Sequence, residues 1–293
     1  MTTGSQTSSS PPSTWPSPDE ASSSSHSSSR RSSSDIDSSS NIARIANDLA
    51  AAEFAIVFTG AGISTESGLP DYRGENGLWK NKRFEQLANI DTFRREPEEF
   101  WQFYAERLSS LHSAEPNAAH FALEKLYQDG RIKGVITQNV DGLHRRAVFG
   151  DGLAEIHGTL SVGVCLECDA NYHVSEVEAK LAVDGLPRCD RCHAVIKPGV
   201  VLFGETLPQA EMARARDWAL QADYLLVLGS SCEVYPAAGL PEVVLDNEHS
   251  FGVGIINLGP TAYDDDRRVT KAELALGNAM SDVTSNLNGR PWA

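Results

Sequence analysis

No run of 18 or more apolar residues occurs in the 293-residue chain, so no segment is long and apolar enough to cross a bilayer as a helix. The N-terminus lacks the charged, apolar and small-residue succession of a signal peptide, and the cytoplasm is the expected compartment. Positive charge is scarce: 25 Lys plus Arg face 40 Asp plus Glu, a formal net charge of -15. Such a chain has no electrostatic grip on a phosphate backbone or an anionic lipid surface, so neither nucleic acid nor membrane is expected as a partner. Cysteine is sparse, with five residues, and in a reducing compartment an odd number argues against disulfides. Nor is there a heptad run, and a monomer is expected. What the chain does have is 41% hydrophobic and 22% charged residues, enough to bury the core of one large domain or one and a half ordinary ones.

Residues 1–40 hold 19 serines, Pro11, Pro12, Pro16 and Pro18, and hardly an aliphatic side chain besides Ile36. That composition cannot bury enough apolar surface to offset the entropy of ordering, and it reads as a disordered tail. A transit peptide would carry more Arg and almost no acid. From Asn41, Ile42, Ile45, Ala46 and Leu49 recur at helical spacing. A compact run, Phe54-Ala55-Ile56-Val57-Phe58, then ends in Thr59-Gly60-Ala61-Gly62, as a buried parallel strand feeding a tight turn does. Similar runs recur at 134–137, 224–229 and 252–257, with helical stretches at Glu98–Leu111 and Ala118–Tyr127 between the first of them. Strands alternating with helices predict a Rossmann-like, doubly wound parallel α/β sheet over 41–293, with its ligand crevice at the carboxyl ends of the strands. Between 159 and 200 the rhythm breaks into a Cys-rich segment, read as a small inserted module.

Cys165-x2-Cys168 and Cys189-x2-Cys192 have the spacing of two knuckles that place four thiolates around zinc, against the alternative of four free thiols. A four-Cys site has no open position, so it is structural, and its metal-binding energy becomes folding energy of the module. His173 and His193 nearby are read as bystanders. Gly60-Ala61-Gly62-Ile63-Ser64-Thr65 behind a strand lets backbone N–H groups approach a pyrophosphate, or serves as a plain strand–loop turn; the third glycine of the dinucleotide fingerprint is missing. Cys232 reads as a buried small hydrophobe, with a reactive thiol as the alternative.

The longer segment Gly60 to Arg73, with Glu66-Ser67-Gly68-Leu69-Pro70-Asp71-Tyr72-Arg73 continuing the loop, resembles the NAD-binding signature of the sirtuins, the Sir2 family of NAD-dependent protein deacylases. Thr137-Gln138-Asn139-Val140-Asp141-Gly142-Leu143-His144, His157-Gly158, Gly229-Ser230-Ser231 and Asn257-Leu258-Gly259 follow in that family's order. The resemblance spans about residue 41 to the C-terminus and includes a zinc module at this place. It implies that NAD is the co-substrate, that acyl-lysine proteins or peptides are the substrates, and that nicotinamide, free lysine and O-acyl-ADP-ribose are the products. His157 becomes the general base that takes a proton from a ribose hydroxyl, with Asn139 and Asp141 beside it. Ala61, Ile63 and Asp71 match the nicotinamide-facing wall; Ser64, Tyr72 and Arg73 continue it towards ribose and phosphates. Gln138 and Asn139 match ribose and nicotinamide contacts, and Asp141 a pocket carboxylate. Gly229, Ser230 and Ser231 match the turn that meets the phosphates, Asn257, Leu258 and Gly259 the adenosine ribose site, and Ala279 the adenine pocket, although Asn278 stands where the family has Asp. Val200 to Glu205, including Val201, Phe203 and Gly204, matches the strand that pairs with substrate backbone.

Tyr104 and Arg107 lie three residues apart on a predicted helix and share a face. In the acidic-acyl branch of the sirtuins a Tyr-x-x-Arg pair holds the free carboxylate of succinyl- or malonyl-lysine. The bland alternative is an amphipathic helix with an exposed Arg. Thr65 and Asp71-Tyr72 resemble other branches, so the combination predicts mixed deacetylase and desuccinylase capacity. Two further readings stay open: a sirtuin-like ADP-ribosyltransferase or NAD hydrolase, and a non-catalytic NAD-binding partner protein.

Overall fold

The computed structural model describes residues 33–74, 77–147 and 149–287. The serine-rich segment 1–32 lies outside them. The boundary expected at residue 41 moves, because helix α1 (Ser33–Ala51) starts inside the serine run. Its early turns are anchored by tertiary contacts that composition does not reveal: Ser38 is buried and its hydroxyl accepts from the Glu273 N–H at 3.3 Å, and Asn41 Nδ2 donates to the Lys271 carbonyl at 2.7 Å.

The strands are β1 (Ala55–Thr59), β2 (Gly134–Thr137), β3 (Leu153–Glu155), β4 (Gly158–Cys165), β5 (Asn171–His173), β6 (Ile196–Val200), β7 (Tyr224–Leu228), β8 (Gly252–Ile256) and β9 (Val269–Ala272). The remaining helices are α2 (Lys82–Leu87), α3 (Ile90–Arg95), α4 (Pro97–Ser113), α5 (Ala118–Gln128), α6 (Leu143–Arg146), α7 (Val174–Asp184), α8 (Gln209–Gln221), α9 (Leu240–Leu245) and α10 (Leu276–Leu287). A six-stranded parallel sheet runs in the order β3-β2-β1-β7-β8-β9, the doubly wound order with its reversal between β1 and β7. Every residue of β1, β7 and β8 is buried, which is why those runs are apolar without alternation. Successive side chains still leave on opposite faces. Val57 and Leu226 pack against Ile45 and Leu49 of α1, Leu123 of α5 and Met280 of α10, whereas Ile56, Phe58 and Leu225 pack with Ala215 of α8 and Val244 of α9.

A second, three-stranded antiparallel sheet, β5-β4-β6, carries the cysteine pairs. Helices α2 to α4, which interrupt the β1–β2 connection, share one core with it, in which Phe93, Phe100 and Trp101 meet Leu160, Tyr172 and Ile196. The buried Trp101 indole donates to the Ile196 carbonyl at 2.8 Å. Among the described residues no helix is long and apolar enough to cross a membrane.

Candidate active site

The loops leaving β1 and β7 meet at the switch point so closely that only glycine fits. A Cβ on Gly60 would lie 2.6 Å from the Gly229 carbonyl oxygen, and one on Gly62 2.6 Å from the Gly229 Cα. Gly229 itself has φ +64, and its Cβ would lie 2.5 Å from the Ile63 nitrogen. These glycines therefore serve the contact of loop with loop. Their N–H groups, expected to face a pyrophosphate, are spent inside the protein: Gly60 donates to Leu228, Gly62 to Gly229 and Gly229 to Ile256.

Beyond this contact opens a cavity of about 800 Å³. Gly60, Ala61, Gly62, Asp71, Tyr72 and Arg73 line it from the β1 side, Gln138, Asn139 and His157 from the β2–β3 side. Gly229, Ser230, Ser231, Asn257, Leu258 and Gly259 close the β7–β8 side. The crossover topology thus gathers five sequence segments that resemblance alone had put on one site.

His157 stands between β3 and β4, half-buried, with Nδ1 3.0 Å from the Gln138 carbonyl oxygen. A carbonyl only accepts, so Nδ1 carries the hydrogen and the neutral ring keeps its lone pair on Nε2. Burial lowers the His157 pKa below the ordinary 6.5, with the Gln138 bond opposing. The ring is thereby held as a neutral base. Gln138 is fixed in turn, its Nε2 donating to Ser230 Oγ at 2.8 Å. Asn139 uses both amide hydrogens, towards the Gly60 carbonyl and Ser64 Oγ at 3.2 Å each, which leaves its oxygen as the group free to meet a ligand.

Ile63, Ser64 and Asp141 do not line the cavity; they support its wall. Ser64 Oγ donates to Asp141 Oδ2 at 2.7 Å, and Asp141 Oδ1 accepts from the Leu143 N–H at 2.9 Å. Burial raises the Asp141 pKa and these bonds oppose it. Asp141 thus accepts from the first N–H of α6 and, through Ser64, orients Asn139. Ala279, expected against adenine, is wholly buried in the core among α1, α5 and α10 and does not reach the cavity.

Tyr104 and Phe203 line the cavity with Val201 and Gly204, at the end expected to take the acyl group, but Arg107 lies behind the wall. Its Nη2 donates to the Tyr72 hydroxyl at 3.1 Å, its guanidinium rests 5.6 Å from the Tyr72 ring centroid, and its Nε is enclosed without a hydrogen-bond partner. The exposed-Arg alternative is therefore excluded. The segment read as a substrate-pairing strand is strand only to Val200. Beyond it the Val201 N–H donates to the His157 carbonyl, and Phe203 pairs with Ala88 and Ile90, so those groups are already used. Buried Lys197 ties the segment to β6 through Glu205 at 3.0 Å.

The four cysteines converge. Their sulfurs lie within 4.8 Å of one another, with neighbouring separations of 3.4, 3.5 and 3.6 Å. A tetrahedron of Zn–S bonds has edges of about 3.8 Å, so the set fits one structural zinc. The knuckles are built alike: Asp169 N–H returns to Cys165 O and His193 N–H to Cys189 O, and Asp169 and His193 both take positive φ, 55 and 61. His173 caps α7, and neither histidine joins the cluster. Cys232 is buried at φ 54, and burial pushes its thiol up to about 11, which makes it an unreactive packing residue.

Glu233, Trp79, Tyr235 and Leu207 also line the cavity and were missed. Their only signal in the sequence is adjacency to the glycine-rich segments.

The chain matches a model of the Sir2 family over residues 60–236. It is 47% identical over 219 residues to the NAD-dependent protein deacetylase of Caldivirga maquilingensis, covering 74% of this chain and 82% of the relative. It is 42% identical over 246 residues to NAD-dependent protein deacylase 2 of Archaeoglobus fulgidus, covering 83% and 96%. Among solved structures it is similar to a histidine-to-alanine Sir2 with a deacetylated p53 peptide and 3'-O-acetyl ADP ribose, with a TM-score of 0.78, 38% identity and coverage of 83% and 96%. A second is Sir2Tm bound to a propionylated peptide, with a TM-score of 0.73, 37% identity and coverage of 82% and 95%.

Proposed function

The chain belongs to the Sir2 family, and on that premise we propose that it is an NAD-dependent protein-lysine deacylase working in the cavity at the β1–β7 switch point. One observation carries the chemistry: the Gln138 carbonyl fixes the His157 tautomer, so a neutral Nε2 is the base in a cavity of about 800 Å³. Bound NAD supplies, as nicotinamide leaves, the electrophilic ribose carbon that takes the acyl oxygen. His157 Nε2 then accepts a proton from a ribose hydroxyl. Asn139, held by Gly60 and Ser64, presents its oxygen to the cofactor, and the acyl-lysine chain enters along the cavity wall formed by Val201, Phe203 and Gly204. The deprotonated hydroxyl attacks the acyl carbon, and one water is consumed as the C–N bond to lysine breaks, so the products are nicotinamide, free lysine and O-acyl-ADP-ribose. Zinc has no part at the reacting atoms, since four thiolates close its coordination.

The acyl range is mixed, with acetyl and acidic acyl groups both accepted. Tyr104 on the wall supports this, and the Arg107 guanidinium behind it would meet a distal carboxylate on leaving the Tyr72 hydroxyl to which it donates. The reading extends to a monomer in the cytoplasm, where reduced thiols remain free to ligate zinc.

The test is mass spectrometry of purified protein with NAD and peptides carrying acetyl-, succinyl-, malonyl- and longer acyl-lysine, beside His157→Ala. Acyl loss matched by O-acyl-ADP-ribose, and absent in the variant, is the expected result. Nicotinamide release without acyl loss moves the protein to the transferase or hydrolase class, and NAD binding without turnover makes it a binding partner only.

A further inference from the structure

Arg73 leaves the β1 loop and Glu233 the β7 loop, so a contact between them bridges the switch point. The Arg73 Nε lies 2.6 Å from Glu233 Oε2. The Ser231 hydroxyl donates to the same oxygen at 3.3 Å. All three residues line the cavity. One carboxylate oxygen therefore collects a guanidinium N–H and a hydroxyl, the donor set a phosphate oxygen takes. Arg73 and Ser231 are also the residues that the resemblance of the motifs puts towards the phosphates, and both line the cavity. The two side chains of the ion pair are 40% and 50% exposed, so the pair is solvated and parts without disturbing the core.

We propose that Glu233 sets the affinity of the cofactor site: in the cofactor-free enzyme its carboxylate occupies the Arg73 and Ser231 donors, and the NAD diphosphate binds by displacing it. The inference rests on the reading of this cavity as the NAD site. Each bond formed by the diphosphate then replaces one already made, so the net gain is smaller than the contacts suggest. The displaced carboxylate also stays on the cavity wall, one anion beside another. Both effects raise the NAD concentration needed for half-saturation without touching His157 or the acyl end.

Titration calorimetry of NAD, ADP-ribose and adenosine against the wild type, Glu233→Gln, Arg73→Gln and the double variant tests this without relying on turnover. Glu233→Gln is expected to tighten NAD and ADP-ribose about three- to fivefold, the size of an exposed ion pair. Adenosine, which lacks the diphosphate, should bind unchanged. In the Arg73→Gln background the gain should fall below half, because no guanidinium is left to release. Unchanged or weaker NAD binding by Glu233→Gln overturns the proposal, as does an equal gain for adenosine or an undiminished gain without Arg73. A wild type that binds neither NAD nor ADP-ribose overturns the deacylase reading itself, and this inference with it.

Discussion

The His144 ring reaches from α6 to the last residue of β1, with Nε2 2.9 Å from the Thr59 hydroxyl. Thr59 gives its own proton to Thr137 Oγ1 at 2.8 Å, so His144 Nε2 supplies the hydrogen and its Nδ1 is left enclosed without a partner. The His120 ring centroid lies 4.8 Å away, and its Nε2 is likewise enclosed. Burial pushes His120 down to about 4, helped by Arg146, and holds His144 well below the ordinary value. Protonating either would bury a charge, on His144 with no acceptor at Nδ1 and on His120 with none at Nε2.

Acid stability follows with a definite sign. Between the depressed folded pKa values and the ordinary 6.5 the unfolded chain holds more protons, so stability falls as pH drops. Above about pH 6.5 both rings are neutral in either state; below it stability falls by up to about 1.4 kcal/mol per pH unit for each ring, for His120 down to about pH 4. Urea midpoints at pH 7.5, 6 and 5 should fall steeply for the wild type. They should fall less for His120→Gln, which keeps the Asn117 capping box that begins α5. Parallel slopes would place the acid sensitivity elsewhere.

The rate profile has its own acid limb. His157 works as a base only when neutral, and burial lowers its pKa below 6.5. Thus kcat/KM for an acetylated peptide should climb through a pKa under 6.5 and level off by pH 7. His157→Ala should cost about 10² to 10⁴ in rate and abolish the limb. A limb that survives the substitution belongs to another group.

Arg107→Met separates the acyl classes. Losing a charge-assisted bond to a carboxylate costs about 1.5 to 3 kcal/mol, so desuccinylation should drop about ten- to a hundredfold. Deacetylation should stay within about twofold. Equal losses would mean that Arg107 serves only to hold Tyr72, to which it is bonded at 3.1 Å.

Zinc removal should be felt in the helical segment as well as in the module. Cys189→Ala opens a closed four-thiolate site, and metal analysis should show zinc lost from the purified protein. Trp101 is buried in the core shared with Ile196, so its emission should shift to the red and the melting temperature should fall. Retention of zinc with unchanged emission would refute a structural role.

Much of this molecule was legible along the chain. The apolar runs of β1, β7 and β8 show themselves because a strand buried on both faces needs no polar positions. Both Cys-x2-Cys knuckles show themselves because each closes within five residues. The edge strands β3 and β9 left no such signal, being short, and α1 began in a serine run that only distant partners could anchor.

The site divides along the same line. The resemblance of the motifs to the Sir2 family put Gly60 to Arg73, Gln138, Asn139, His157 and Gly229 to Ser231 on one site, and their legibility comes from each lying on a local turn at a strand end. Tertiary structure alone decided which of them face the cavity. It put Ser64 and Asp141 behind Asn139, Arg107 behind Tyr72 and Ala279 in the core, and it set Glu233 against Arg73 from 160 residues away, 233 minus 73. Those pairings arise where crossover connections bring distant strand ends side by side, and no local pattern of residues encodes them.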